Sequence, residues 1–118
     1  MPWWQDYFKA VDTLDASKIQ EWFAEDMELQ FGNTPIKGRE TAMAAISGFI
    51  GQLQGMKHNI GDVFDEGDKV FVDAVVTYHF RNGDILNIPA GTYLKREQEK
   101  ISDLRVYIDL APVYAKLG

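Results

Sequence analysis

The first part of the chain carries hydrophobic residues at helical spacing. Between residues 3 and 14, apolar side chains recur every three or four positions, which predicts an amphipathic helix. Asp15 is a suitable N-cap for a second helix. The apolar side of this second helix carries Ile19, Trp22 and Phe23. Two short helices with aromatic faces need a broad apolar surface to cover.

The next segment predicts one short strand and one longer helix. Apolar and polar residues alternate over residues 27–31, as in a strand with one buried side. The run Gly32-Asn33-Thr34-Pro35 breaks this strand. A stripe of apolar residues then predicts a third helix over residues 38–53.

The second half of the chain has the pattern of long antiparallel strands, predicted over residues 58–65, 70–80, 85–95 and 101–109. Asn82-Gly83 is a strong hairpin signal because both residues tolerate a positive φ. Pro89 and Gly91 predict a bulge or bend where the sheet curls, and Pro112 ends the pattern. The order α-α-β-α-β-β-β-β predicts one α+β domain over residues 1–118.

Composition narrows the classes of function. The 118 residues are 46% hydrophobic, enough for one domain with its own core. A net charge of −6 argues against nucleic acid or an anionic membrane as partner. There is no cysteine, and the two histidines, His58 and His79, lie in separate segments, so we expect no metal and no cofactor. Without a signal-like start or a long apolar run, we expect a cytoplasmic location.

Several short stretches, spread over nearly the whole chain, occur in an order typical of one known family. They are Trp22-Phe23-Ala24-Glu25-Asp26, Ile36-Lys37-Gly38-Arg39-Glu40, Glu66-Gly67-Asp68-Lys69-Val70, Lys100-Ile101 and Arg105-Val106-Tyr107-Ile108-Asp109. Because it contains these stretches in this order, the chain resembles the SnoaL-like branch of the nuclear transport factor 2-like superfamily. The resemblance implies a cone in which helices close one side of a strongly curved, mainly antiparallel sheet around an apolar pocket. It also implies a homodimer joined through the outer face of the sheet.

Members of this superfamily include polyketide cyclases, ketosteroid isomerases and epoxide hydrolases, so the fold leaves the activity open. The resemblance places the three ketosteroid isomerase roles on Tyr7, Phe31 and Gly91, of which only the tyrosine is kept. It places the Asp-Arg-Asp set of limonene epoxide hydrolase on Val72, Ala74 and Val106, which are apolar. Neither catalytic set is therefore present.

Side-chain alternation divides the late strands into two faces. The more apolar face, with Val72, Val76 and Tyr78, is expected to point inward. Asp73, His79 and Asp109 then point outward, and they would become catalytic candidates only if the facing were reversed by a bulge. The expected pocket lining comprises Val11, Trp22, Phe31, Phe49, Val72, Val76, Tyr78, Pro89, Leu104, Val106 and Ile108.

Three polar residues are expected to face the pocket, namely Tyr7, Tyr78 and Asn87. We expect Tyr7 and Asn87 to be the catalytic candidates, whereas His58 is expected to be structural or at the surface. The predicted function is the binding of a small hydrophobic molecule, with isomerase or cyclase chemistry on a carbonyl compound as its enzymatic form. The alternative is a non-catalytic ligand-binding or assembly domain.

Overall fold

The computed structural model describes residues 2–117. The elements, in chain order, are α1 (Trp3–Asp12), α2 (Ala16–Gln20), β1 (Phe23–Phe31), β2 (Thr34–Lys37), α3 (Arg39–Ile50), β3 (Leu53–Asp65), β4 (Lys69–Phe80), β5 (Ile85–Glu97), β6 (Lys100–Ile108) and α4 (Ala111–Leu117). Within this part of the chain, no helix is long and apolar enough to cross a membrane.

The six strands form one curved, unclosed sheet in the order β2-β1-β6-β5-β4-β3. Strands β3 to β6 are joined as an antiparallel meander, whereas β1 runs parallel to β6. The predicted α+β class is confirmed, and so is the cap of the second helix, because the Asp15 carboxylate accepts the Ser17 backbone N–H at 3.0 Å.

One side of the sheet is covered by helices, and this side contains the core. Burial alternates residue by residue along β4, where Val70, Val72, Ala74 and Val76 are buried. Trp4 and Phe8 of α1 and Met43 and Ile46 of α3 belong to the same buried apolar cluster. The helices therefore pack on the concave face, as the aromatic face of the first helix requires.

Two short elements were missed because each contains a proline. Strand β2 holds Pro35, but β2 is the edge of the sheet and pairs only with β1, where a missing N–H is tolerated. Helix α4 holds Pro112 in its first turn, where the backbone N–H needs no helical partner. Proline marked a sheet edge and a helix start here, not the end of regular structure.

The bulge predicted at Pro89 and Gly91 is wrong. Strand β5 pairs with β4 in continuous register from Lys95 to Ile85. Pro89 is accommodated because β6 ends at Ile108, the partner of Ala90, so β5 has a free edge from there on. Gly91 gives room for the Phe71 ring, since a Cβ at this position would lie 2.6 Å from the ring.

Two glycines, one before α3 and one inside it, allow a direct test of the backbone conformation. Gly38, before α3, has φ +90° and ψ 143°, a conformation reserved almost entirely for glycine. Gly48 lies inside α3, and a Cβ at either position would meet nothing within 4 Å. We expect Gly38→Ala to lower the free energy of unfolding by about 1–3 kcal/mol through backbone strain alone. Gly48→Ala should raise it by about 0.5–1 kcal/mol. Urea unfolding of both variants checks the opposite signs, and equal effects would contradict the assigned conformation of Gly38.

Candidate functional site

A small apolar cavity lies between the helices and the concave face of the sheet. Its volume is about 70 Å³. The side chains around it come from α1, α2, α3 and every strand except β2. They are Tyr7, Phe8, Val11, Ile19, Leu29, Phe31, Ile46, Phe49, Ile50, Met56, His58, Val76, Tyr78, Thr92, Leu104, Val106 and Ile108.

The structure brings most of the predicted lining residues to this cavity. Those that line it are Val11, Phe31, Phe49, Val76, Tyr78, Leu104, Val106 and Ile108, together with Tyr7. Three others, Val72, Trp22 and Pro89, do not line it. Val72 is fully buried in the core but does not reach the cavity. Trp22 is half-buried and packs edge-on behind the Tyr7 ring, at a centroid distance of 6.0 Å, so it supports a lining residue without lining the cavity.

The inward placement of Asn87 and Pro89 is wrong, because both are exposed on the outer face of the sheet. Residues paired across antiparallel strands share a face, and Asn87 pairs with Thr77. Their side chains are joined on that face, with Thr77 Oγ1 2.7 Å from Asn87 Oδ1. Thr92, two positions beyond Ala90 in the buried row of β5, is the polar residue of this strand that lines the cavity.

The carboxylates and the histidine considered for catalysis under reversed facing also lie outside the cavity. Asp73 and His79 are exposed on the outer row of β4. Asp109 follows β6, and its carboxylate accepts the Ala111 backbone N–H at the start of α4 at 3.0 Å. The structure therefore does not bring these three residues together with Tyr7.

Two tyrosine hydroxyls open onto the cavity without a protein partner. In the described part of the chain, neither Tyr7 nor Tyr78 makes a side-chain hydrogen bond. Every side-chain oxygen or nitrogen there that is fully shielded from solvent has a hydrogen-bond partner, so these two hydroxyl oxygens are not fully shielded. Both residues line the cavity, so their hydroxyls lie at its surface. Burial raises the pKa of both phenols above the ordinary tyrosine value, and for Tyr78 the nearby Tyr114 and Asp12 add to this effect.

Aromatic rings pack around both tyrosines. The Tyr7 ring packs edge-on against Phe8 and is tilted against Phe23, with centroid distances of 5.4 and 6.1 Å. The Tyr78 ring meets Phe49 at 5.9 Å, nearly perpendicular. Phe49 in turn contacts Phe31 and Tyr114 of the C-terminal helix. Such edge-to-face pairs fix the ring positions and hence the hydroxyl positions.

A histidine–carboxylate pair, which sequence reasoning missed, borders the same cavity. His58 Nδ1 lies 2.7 Å from Asp12 Oδ1, and the His58 backbone N–H donates to Asp12 Oδ2 at 2.9 Å. His58 is opposite Val76 in the sheet and is 11% exposed, so it is not a surface residue. A signal was present, because Asp12 continues the helical row of Trp4 and Phe8 at intervals of four, which places a carboxylate on an apolar face.

Few side chains at the site can take part in chemistry. Among residues 2–117, no cluster of three or more histidine, aspartate or glutamate side chains could hold a metal ion. Tyr7, His58 and Tyr78 are the titratable side chains of the lining, with Asp12 behind His58. The site combines an apolar wall, hydroxyl donors and one oriented imidazole.

Helices on the concave face of a six-stranded curved sheet, with a cavity between them, define the nuclear transport factor 2-like class of folds. The model of the SnoaL-like domain family matches residues 4–104, and the chain belongs to this family. No curated protein matches the chain.

Solved structures show the same fold at low sequence identity. A candidate SnoaL-like polyketide cyclase from a Jannaschia species is 19% identical, with a TM-score of 0.78, over 96% of this chain and 87% of its own. A protein with a ketosteroid isomerase-like fold from Catenulispora acidiphila, in complex with trimethylamine, is 20% identical, with a TM-score of 0.79, over 97% and 90%. A nuclear transport factor 2-like protein of unknown function from Cytophaga hutchinsonii is 20% identical, with a TM-score of 0.73, over 93% and 89%.

The free hydroxyl of Tyr7 leads to a prediction for stability and its pH dependence. Tyr7→Phe should change the free energy of unfolding at pH 8 by less than about 1 kcal/mol, because it breaks no protein hydrogen bond. Above pH 10 the unfolded chain loses phenolic protons before the folded chain does, so each such tyrosine lowers stability by up to about 1.4 kcal/mol per pH unit. Tyr7→Phe should therefore reduce the alkaline loss, as measured by urea unfolding at pH 8 and pH 11. An unchanged alkaline loss, or a large loss at pH 8, would contradict the placement of this hydroxyl.

Proposed function

We propose that the cavity binds a small apolar molecule that carries a hydrogen-bond acceptor such as a carbonyl oxygen. The observation that supports this most directly is the pair of tyrosine hydroxyls that line the cavity without a protein partner. Each hydroxyl is free to donate to an oxygen of a bound ligand, and such a hydrogen bond contributes about 0.5–1.5 kcal/mol.

The size of the cavity restricts the ligand. Its volume of about 70 Å³ is below the ~150 Å³ of an engineered apolar cavity that holds benzene. A ring-sized ligand needs some lining side chain to move. Met56 is the one best suited, because its unbranched side chain has three rotatable bonds and adapts to irregular space.

Small-molecule binding also has a precedent among the structural neighbours, since the Catenulispora protein was crystallised in complex with trimethylamine. Within the family, binding and catalysis on a carbonyl compound share one requirement, namely donors aimed at the carbonyl oxygen. We therefore propose that an enzymatic function would be isomerase or cyclase chemistry. The alternative is that the protein binds its ligand without catalysis.

Two neighbouring valines allow a matched test of binding inside the cone. Val76 lines the cavity, whereas Val75, its neighbour in β4, is 42% exposed on the outer face. Cyclopentanone, with about six heavy atoms, should bind the parent in the millimolar range. Val76→Phe should abolish this binding because the added ring occupies the cavity, and Val75→Phe should leave it unchanged.

The measurement is a titration of amide chemical shifts by NMR, which also reports whether each variant is folded. Shifts confined to the cavity lining support the proposal. Binding that persists in Val76→Phe, or shifts that lie on the outer face, would contradict it.

We also propose that the chain forms a homodimer through the outer face of the sheet. The supporting observation is a group of partly exposed apolar side chains on that face, namely Phe64, Phe71, Val75, Ile85 and Tyr107. Monomeric proteins rarely leave large apolar groups together on one surface.

A charge placed on this face should disrupt the dimer. Val75→Glu is expected to convert the protein to monomer, because a carboxylate would be buried without a partner in a symmetric contact. Ala44→Glu, on the exposed side of α3, is the control and should leave the assembly unchanged. Analytical ultracentrifugation distinguishes these outcomes, and a monomeric parent would contradict the proposal.

A further inference from the structure

The pair formed by His58 and Asp12 has the geometry of a base and its orienting group. Asp12 is the last residue of α1, and His58 lies in β3, 46 residues further along the chain. Both carboxylate oxygens of Asp12 are directed to the same residue, one to Nδ1 of the ring and one to the backbone N–H. The Phe8 ring packs against the imidazole at a centroid distance of 4.7 Å, so the ring is held in a single orientation.

This contact decides which nitrogen of the neutral imidazole is basic. A carboxylate can only accept a hydrogen bond, so it selects the tautomer with the proton on Nδ1. The lone pair is then on Nε2, for which residues 2–117 provide no hydrogen-bond partner. Because the ring lines the cavity, a bound molecule can meet this basic nitrogen.

Asp12 contacts both the imidazole and the solvent. Its side chain is 23% exposed, so the carboxylate retains contact with water while the imidazole is 11% exposed. An acidic residue at a helix C-terminus is disfavoured by the helix dipole by about 0.3–1 kcal/mol. The Asp12 carboxylate nevertheless occupies this position and contacts His58 with both of its oxygens, which is the arrangement of an orienting group behind a histidine.

We propose that His58, oriented by Asp12, is a general base that removes a proton from the carbon next to the carbonyl group of a ligand bound in the cavity. This inference rests on the proposed function and adds a reaction to it. Nε2 takes the proton, the C–H electron pair forms a carbon–carbon double bond, and the carbonyl π pair moves to the oxygen. The resulting enolate oxygen can accept a hydrogen bond from Tyr7 or Tyr78. Imidazolium then returns the proton to carbon, which exchanges or relocates it without any further reactant.

Hydrogen–deuterium exchange provides the test. The α-protons of cyclopentanone are followed by proton NMR in deuterium oxide, with and without the protein. The parent should accelerate their loss, and His58→Gln should lower the protein-catalysed rate by about 100-fold or more, to the buffer rate. His79→Gln changes the exposed histidine on the outer face and should leave the rate unchanged.

Asp12 acts through His58 and is tested as a positioning residue. Asp12→Asn should lower the exchange rate by about 10-fold or more. Nitrogen NMR of the imidazole should show the Nδ1–H tautomer in the parent and its loss in Asp12→Asn. A link that serves stability alone would leave the exchange rate at the parent value in any variant that remains folded. Should His58→Gln not fold, the pH profile of the parent decides, because the rate has to follow the fraction of neutral His58 titrated in the same NMR experiment.

The outcomes separate this inference from the proposed function. Binding of cyclopentanone with exchange that depends on His58 supports both. Binding without exchange, or exchange that persists in His58→Gln, overturns the role of His58 and leaves the binding function intact. Absence of binding overturns both.

Discussion

Strand pairing is the constraint on which the rest of this structure depends. Residues that pair across β4 and β5 must share a face. Because the register is continuous from Lys69–Lys95 to His79–Ile85, the face of one residue in β4 determines the face of every paired residue in both strands. The apolar row of β4 turns toward α1 and α3, since only that row can bury enough surface against the helices. The partners of this row, including Thr92, are thereby placed inside, and Thr77 and Asn87 are placed outside.

The sequence was sufficient to predict the helical face of α1, the cap of α2 and the facing of β4, because each depends on local periodicity or local chemistry. Strand β5 was assigned the wrong face because the family resemblance implied that Pro89 and Gly91, and with them Asn87, point inward. The Asn82-Gly83 signal predicts a two-residue turn, which would pair Tyr78 with Asn87 and place Asn87 inside. In the structure the loop has one more residue, Arg81, so Tyr78 pairs with Leu86, and Ile88 and Ala90 lie inside. The contact between His58 and Asp12 joins residues from separate elements, and no local pattern specifies which carboxylate approaches which imidazole.

The interior balances two opposing requirements. Apolar packing fills most of the cone, and a cavity of about 70 Å³ is left between the helices and the sheet. Polar groups at that cavity raise the cost of leaving it dry, because their desolvation is only partly compensated. The same groups give the site its chemistry, since hydroxyl donors and an oriented imidazole act more strongly where water is scarce. The proposed function therefore depends on the same few side chains that affect stability, among them His58 with its contact to Asp12.

A crystal structure of the protein soaked with cyclopentanone would locate ligand, hydroxyls and imidazole together. The proposed binding function and the proposed role of His58 predict the ketone inside the cone, with its oxygen about 2.5–3.0 Å from the hydroxyl of Tyr7 or Tyr78 and its ring beside His58 Nε2. A cavity closed by its own side chains, with the ketone bound only at the outer surface, would contradict it.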